Sequence, residues 1–191
     1  ASEFRYLPGQ HVTVRAEIDG QDVRRSYSIC ANANDGTLRV GIKRIPNGVF
    51  SGWATNTLSK GDRLDVMPPV GEFVISPDPA RARHYAAIAA GSGITPVLSH
   101  VSTVLEAEPA SRFTLVLGNR ETRSIMFLEE LAGLKDRYPD RFQLIHVLSR
   151  EPQVVELFHG RIDETKMEAL LDSLVDPDRI EDPEFFITDY G

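Results

Sequence analysis

Tyr85-Ala86-Ala87-Ile88-Ala89-Ala90-Gly91-Ser92-Gly93-Ile94-Thr95-Pro96 decides the fold of this 191-residue chain. Six residues with no charge among them, closed by glycine, read as a buried strand over 85–90. Pro96 suits the first position of a helix, where no N–H is needed, so a helix is expected over Thr95–Ala107. Between strand and helix stand two glycines one residue apart. Such a turn lets backbone approach a ligand, and the helix start adds free N–H groups and a positive dipole end. Pro96 stands where the third glycine of a dinucleotide fingerprint would be. A plain strand-to-helix turn is the competing reading, and the strand–helix context favours a phosphate-bearing ligand.

The pattern repeats toward the C-terminus. Strands are expected at Phe113–Leu117, Phe142–Leu148 and Phe185–Ile187. Helices are expected over Ile125–Tyr138, with Ser124 as N-cap and Glu129 and Glu130 in the first turns, and over Glu164–Val175. Strand and helix in alternation imply a parallel, doubly wound α/β sheet over 82–191.

Toward the N-terminus the texture differs. Gln10–Ala16 alternates polar and apolar, and Asp19-Gly20 is a hairpin signal. Ser26–Cys30, Thr37–Arg44 and Arg63–Met67 read as further short strands, with a short helix near Phe50–Leu58. Pro77-Asp78-Pro79 reads as a linker. Residues 1–77 are therefore expected to form a small antiparallel β-barrel.

Composition narrows the function. Lys and Arg total 21 against 28 Asp and Glu, a net charge of −7. That balance argues against a nucleic-acid partner. The single cysteine, Cys30, excludes a disulfide framework, a C-x-x-C zinc site and a four-cysteine iron–sulfur cluster within this chain. No apolar run approaches the roughly 20 residues of a membrane span, so no membrane partner and a cytoplasmic setting are expected. His11, His84, His100, His146 and His159 lack metal-ligand spacing and are assigned structural or surface roles. Cys30 and Trp53 are expected to pack.

Two further segments carry chemistry. In Arg25-Ser26-Tyr27-Ser28 the arginine can clamp a phosphate, the tyrosine can lie on a flat heterocycle and a serine can bond a ring nitrogen. Strand alternation puts Arg25 and Tyr27 on one face, Ser26 and Ser28 on the other. An ordinary surface strand is the competing reading. Lys43-Arg44-Ile45-Pro46-Asn47-Gly48-Val49-Phe50-Ser51 offers cations, a glycine turn and a serine before a helix, a second anion cradle or a basic hairpin loop.

Arg25-x-Tyr27-Ser28, Gly48-x-x-Ser51 and Gly91-x-Gly93-Ile94-Thr95-Pro96, in this order, resemble the ferredoxin–NADP reductase family over essentially the whole chain. The resemblance implies FAD in the β half and a nicotinamide dinucleotide in the α/β half. Arg25 and Ser51 would hold the flavin pyrophosphate, Tyr27 would stack on the isoalloxazine, and Ser28 would sit near its reactive nitrogen. Ser26, Lys43, Gly48 and Val49 belong to the same set, and Gly71-Glu72-Phe73 would lie near the adenine half. Gly91, Gly93 and Pro96 would shape the dinucleotide loop. Thr95 would lie where nicotinamide meets flavin, making Ser28 and Thr95 the candidate catalytic pair.

Gly118-Asn119-Arg120, Ile125 to Leu131, and Phe142 through Ser149-Arg150-Glu151 to Asp163 are similar to the reductase components of phenylacetyl-CoA ring-epoxidising monooxygenases. This narrower resemblance implies electron flow from NADPH through FAD to a [2Fe–2S] domain and on to a di-iron oxygenase component. Arg120 and Arg123, with Arg150 joining them, would accommodate the 2′-phosphate of NADP over NAD; a solvated charged turn is the alternative. Three departures stand out. No cysteine follows Ile187, no four-cysteine cluster is present, and the first barrel strand is not found. These lead to the expectation of a piece of a longer protein, weak or inactive by itself. A stand-alone reductase for a flavodoxin or haem partner, and a flavin-free binding module, are the other readings.

Overall fold

The computed structural model describes residues 2–174 and 184–189. Val175, at the end of the last expected helix, lies outside them. In the β half, β1 (His11–Ile18) and β2 (Gln21–Ser28) form a hairpin. Its turn works because Asp19 and Gly20 both take positive φ, 51° and 75°, as a two-residue hairpin of this twist requires. Alternation along β1 buries Val12, Val14, Ala16 and Ile18, opposite Val23 of β2, and α1 (Val49–Asn56) covers them with Phe50.

β3 (Asp65–Val66) pairs with the other edge of β1, in the order β2-β1-β3. The strand expected at Arg63–Met67 shortens to these two residues, because Pro68 has no N–H to continue the ladder. Thr37–Arg44 does not form the expected strand either. Only Val40 bridges Ile29. The segment is drawn across the molecule instead: Arg39 pairs with Glu130 at 2.7 Å and lies over the Phe127 ring. Among the described residues the antiparallel sheet is thus three-stranded, and the His11–Val70 bridge continues its pairing beyond β3.

The α/β half follows the expected alternation. β4 (His84–Ala90), β5 (Arg112–Asn119), β6 (Phe142–Leu148) and β7 (Glu184–Asp189) are all parallel, in the order β6-β5-β4-β7. Chain order reverses at β4, which places a crevice beyond its carboxyl end. Helix α2 (Ile94–Ala107) packs on one face against Ala87, Ala89, Leu115 and Leu117, and α3 (Leu128–Arg137) adds Leu131 and Leu134. On the other face Leu170 of α4 (Glu164–Leu174) meets Ile88, Val116 and Ile145. Among the described residues no helix is long and apolar enough to cross a membrane.

Two helix starts differ from expectation. Helix α2 begins at Ile94, so Pro96 is its third residue, still among the first four N–H positions that lack intrahelical acceptors. Ser124 does not cap α3. It closes a 3-10 turn, Thr122–Ser124, in a reciprocal capping box with Glu121, and α3 starts four residues later, after Phe127 at φ 59°. The Ser124 hydroxyl is used up within that turn, donating to the Glu121 carbonyl at 2.6 Å.

The expected linker is tied down by a carboxylate that no sequence pattern singles out. Glu108, at the end of α2, is fully buried. It accepts from the Asp78 N–H at 2.9 Å, the Tyr85 hydroxyl at 3.0 Å and the Ser111 hydroxyl at 2.7 Å, with Arg81 at 3.7 Å. Glu108→Gln keeps the shape but leaves one oxygen where there were two to accept. We expect a loss of about 1–2 kcal/mol, read as a lower urea midpoint at unchanged slope.

Candidate functional site

Two clusters of expected residues form, one in each half. In the first, Tyr27 is held by its ring contact with Phe50, 5.6 Å between centroids, which seats α1 beside β2. Register pairs Tyr27 with Val12 and Arg25 with Val14, so both stand on the core-facing side of the hairpin. Arg25 nevertheless reaches solvent. It donates to the Arg24 carbonyl at 2.7 Å, and among the described residues no carboxylate pairs with it. Neighbouring Arg24 and Arg15 share Asp22 on the opposite face. A guanidinium left without an anion, two residues from the Tyr27 ring that meets the start of α1, suits a phosphate.

The turn before α1 is tight. A β-carbon on Gly48 would stand 2.5 Å from the Ser51 hydroxyl, so any other residue there would displace that side chain. Ser51 is buried and its oxygen accepts from the Ile45 N–H at 3.1 Å. The serine shapes the loop, and its own O–H joins the N–H groups opening α1 as donors available to a ligand. Val49 and Lys43 are exposed beside it. Ser26 turns away: its hydroxyl meets that of Thr13 at 3.0 Å on the outer face, as strand alternation dictates. Ser28, paired with His11, ends β2 half-buried.

The second cluster lies at the carboxyl ends of the parallel strands. Gly91 has φ 53°, and the space where its side chain would be is open. Gly93 and Pro96 are buried in the turn, and the Thr95 hydroxyl closes it by donating to the Ser92 carbonyl at 3.0 Å. Ser149 and Arg150 donate their N–H groups to the carbonyls of Asn119 and Arg120, at 3.0 and 2.9 Å, which aligns the ends of β5 and β6. The Asn119 Nδ2 is buried with no hydrogen-bond partner among the described residues. A buried amide donor left open at this edge fits a polar ligand.

The three arginines expected here separate. Arg123 pairs with Glu121 at 2.5 Å, with its side chain 85% exposed. Arg120 and Arg150 are exposed on adjacent strand ends. Glu151 grips the intervening loop, accepting from the Thr122 N–H at 2.8 Å and its hydroxyl at 2.9 Å. These bonds hold the Glu151 carboxyl below its ordinary value.

Gly71 and Phe73 lie elsewhere. Gly71 abuts the His11 ring, and Phe73 sits between the halves, its ring 5.0 Å from that of His100. Here sequence reasoning missed a set of residues on α2. The Ser99 hydroxyl donates to the Ala31 carbonyl at 2.7 Å, Thr103 accepts from the Ala33 N–H at 3.0 Å, and Glu106 accepts from the Asn32 side chain. His100, fully buried, directs Nε2 at the carbonyls of Pro8, 3.1 Å, and Phe73, 3.2 Å, which places the proton on that nitrogen. The available signal was a stripe of small hydroxyls at helical spacing, where a solvated face would carry charge.

Burial pushes the His100 ring down to about 4 from an ordinary value of 6.5. Between those values the unfolded chain binds a proton that the folded one does not, so stability falls as pH drops from 6.5 toward 4. Proton uptake on unfolding at pH 5 should be smaller by about one in His100→Gln than in the wild type, measured from the pH dependence of urea midpoints.

Comparison with known proteins matches residues 1–75 to an oxidoreductase FAD-binding domain and residues 87–187 to an oxidoreductase NAD-binding domain. The chain belongs to the ferredoxin–NADP reductase-like oxidoreductases. Among the curated members of that family, a subunit of the 1,2-phenylacetyl-CoA epoxidase from Escherichia coli K12 is 46% identical over 90% of this chain and 48% of its own length. The ferredoxin reductase component of a Rhodococcus rhodochrous 3-ketosteroid-9-alpha-monooxygenase is 36% identical over 76% and 41%. The chain thus spans about half the length of the curated reductases it matches. Among solved structures, the Amycolatopsis cytochrome P450 reductase superposes with TM-score 0.77 at 25% identity, covering 95% of this chain and 52% of that one. A mutant ferredoxin–NADP+ reductase from Plasmodium falciparum gives 0.77 at 22% identity over 96% and 73%, a likeness of fold.

Proposed function

We propose that this chain is the FAD- and NAD(P)H-binding part of an electron-transfer reductase serving the oxygenase component of a multicomponent monooxygenase of the phenylacetyl-CoA epoxidase kind. We divide it into a flavin-binding unit, 1–77, and a dinucleotide-binding unit, 82–191. The observation that carries the reading is a pair of open binding edges: Arg25 without an anion beside α1, and Asn119 Nδ2 without an acceptor beside the Gly91 turn. The 46% identical relative, itself a subunit of a phenylacetyl-CoA epoxidase, supports the choice of acceptor.

The bound flavin supplies acceptance of a hydride from reduced nicotinamide and its release as single electrons. The chain's own residues position and shield. Arg25 and the opening N–H groups of α1 hold the pyrophosphate, with Lys43 and Val49 at the rim. Tyr27 gives the flavin ring an aromatic wall. Ser28 and Thr95 flank the place where the two rings meet, and Gly91 and Gly93 let backbone reach the dinucleotide phosphates. Asn119 donates to the dinucleotide.

Fluorescence titration with FAD and anaerobic bleaching by NADPH test this reading. Micromolar or tighter FAD binding and flavin bleaching are expected, followed by turnover when the oxygenase and the [2Fe–2S] module of an epoxidase are supplied. A protein that binds neither cofactor would remove it.

Arg120 and Arg150, exposed on adjacent strand ends, with Arg123 nearby in sequence and paired to Glu121, point to NADPH. The ratio of kcat/KM for NADPH over NADH should exceed one in the wild type. It should fall about tenfold in Arg120→Ala, as expected when one charge-assisted phosphate contact of about 1.5 kcal/mol is lost. A preference for NADH, or a ratio unmoved by the substitution, contradicts the assignment.

A further inference from the structure

The two binding edges sit in different halves, so the reaction depends on how those halves are joined. Along α2 the joint is polar and built from side chain to backbone. Ser99 bonds Ala31, Thr103 bonds Ala33, and His100 bonds both Pro8 and Phe73. His100 differs from the others in touching two separate strand connections at once, with its ring fully buried.

Its position ties it to both edges. Toward the dinucleotide, His100 is five residues beyond Thr95 on one continuous helix, about 7.5 Å along the axis. Toward the flavin, its acceptor Pro8 is followed by Gly9 and Gln10. The Gln10 carbonyl takes the Ile29 N–H at 2.9 Å, and His11 pairs with Ser28. Gly9 has φ 97°, and its missing side chain is what lets the Phe73 carbonyl and the His100 ring close over it. One rigid path therefore runs from Thr95 through His100 to the end of the strand bearing Ser28.

We propose that His100 is a positioning residue for hydride transfer: its twin bonds to Pro8 and Phe73 set how closely the Gly91–Thr95 turn faces the end of β2. The proposal rests on the reductase reading above. Hydride transfer requires ring approach within about 3–3.5 Å, and a misplacement of about 1 Å costs on the order of a hundredfold in rate. Among the residues expected at the cofactors His100 meets Phe73, at its backbone carbonyl and beside its ring; the contacts expected of Arg25, Tyr27, Gly91 and Asn119 should survive its loss.

The test compares His100→Leu, which removes the donor, His100→Asn, which shortens it, and His100→Gln, which returns an N–H₂ to the same reach. In cofactor-free protein, hydrogen–deuterium exchange of residues 7–11 and 72–75 should quicken at least tenfold in the leucine variant. It should stay near wild type in the glutamine variant, with β4 to β6 unchanged in both. With FAD bound and saturating NADPH, the rate of flavin bleaching should fall at least tenfold in His100→Leu and less in His100→Asn. In His100→Gln it should return to within threefold. FAD Kd and NADPH KM should move less than twofold throughout. Wild-type bleaching by His100→Leu, or by His100→Asn where the leucine protein does not fold, overturns the proposal. So does a loss that tracks weakened cofactor binding, or one that glutamine fails to restore. Failure of the wild type itself to bind or bleach FAD would instead remove the reductase reading, and the exchange result on cofactor-free protein would still report on the joint.

Discussion

Gly9→Ala should destabilise the protein by about 3 kcal/mol or more. Two costs add. At φ 97° an L side chain strains the backbone by roughly 1–2 kcal/mol. The added carbon would also enter the space of the Phe73 carbonyl oxygen and the His100 ring. Overpacking of that kind costs about 1–3 kcal/mol, and neither neighbour yields easily, since each holds the other by a hydrogen bond. Gly20→Ala is the control. It has φ 75° but nothing within 4 Å of the new carbon, so it should show the strain alone. Urea midpoints of the two variants separate the contributions. Equal losses would mean that the joint between the halves opens without cost.

Arg25→Ala should weaken FAD binding ten- to hundredfold while leaving the fold intact. A charge-assisted bond to phosphate is worth on the order of 1.5–3 kcal/mol, which is that range in Kd. The structural cost is small because Arg25 is exposed and bonds the carbonyl of its own neighbour, Arg24. Arg24→Ala gives the contrast. Arg24 is engaged with Asp22 on the outer face, so its loss should change Kd by less than twofold. Fluorescence titrations of both, beside circular dichroism to show folding, decide it. Equal Kd values for Arg25→Ala and wild type would withdraw the arginine from the flavin site.

Arg25 and Gly9 differ in how visible they are along the chain. Arg25 is legible as part of Arg25-x-Tyr27-Ser28, where a cation precedes an aromatic ring and a hydroxyl; its place on the core side, opposite Val14, is not. Gly9 was not legible as a contact. Nothing in Leu7-Pro8-Gly9-Gln10 reveals that a helix starting some 85 residues later will press a histidine onto it. The same holds for Glu108. A glutamate at the end of an amphipathic helix reads as solvated, and becomes buried only because the linker and β4 fold back over it.

The misread segments share a cause. Thr37–Arg44 has strand composition, yet its hydrogen-bonding partners are set by where Arg39 finds Glu130 and Phe127, across the molecule. Ser124 has the chemistry of a helix cap, but Glu121 three residues before it claimed the hydroxyl for a tighter turn. In each case a local group had two suitors, and proximity in the folded chain chose between them.

The sequence by itself determined the alternation of β4 to β7 with their helices, the β1–β2 hairpin and the Gly91 turn. Apolar periodicity, paired positive-φ residues and strand-ending glycines act over a few neighbours and do not wait for the rest of the fold. Only the tertiary structure decided which charges remain free. Arg123 meets Glu121, and among the described residues no carboxylate pairs with Arg25, Arg120 or Arg150. It also decided how the two halves meet, through side chains of α2 bonded to backbone carbonyls and amides of the β half. Such bonds are directional and short-ranged, and every residue offers the same backbone groups, so their pairing is fixed by packing and leaves no trace in residue type.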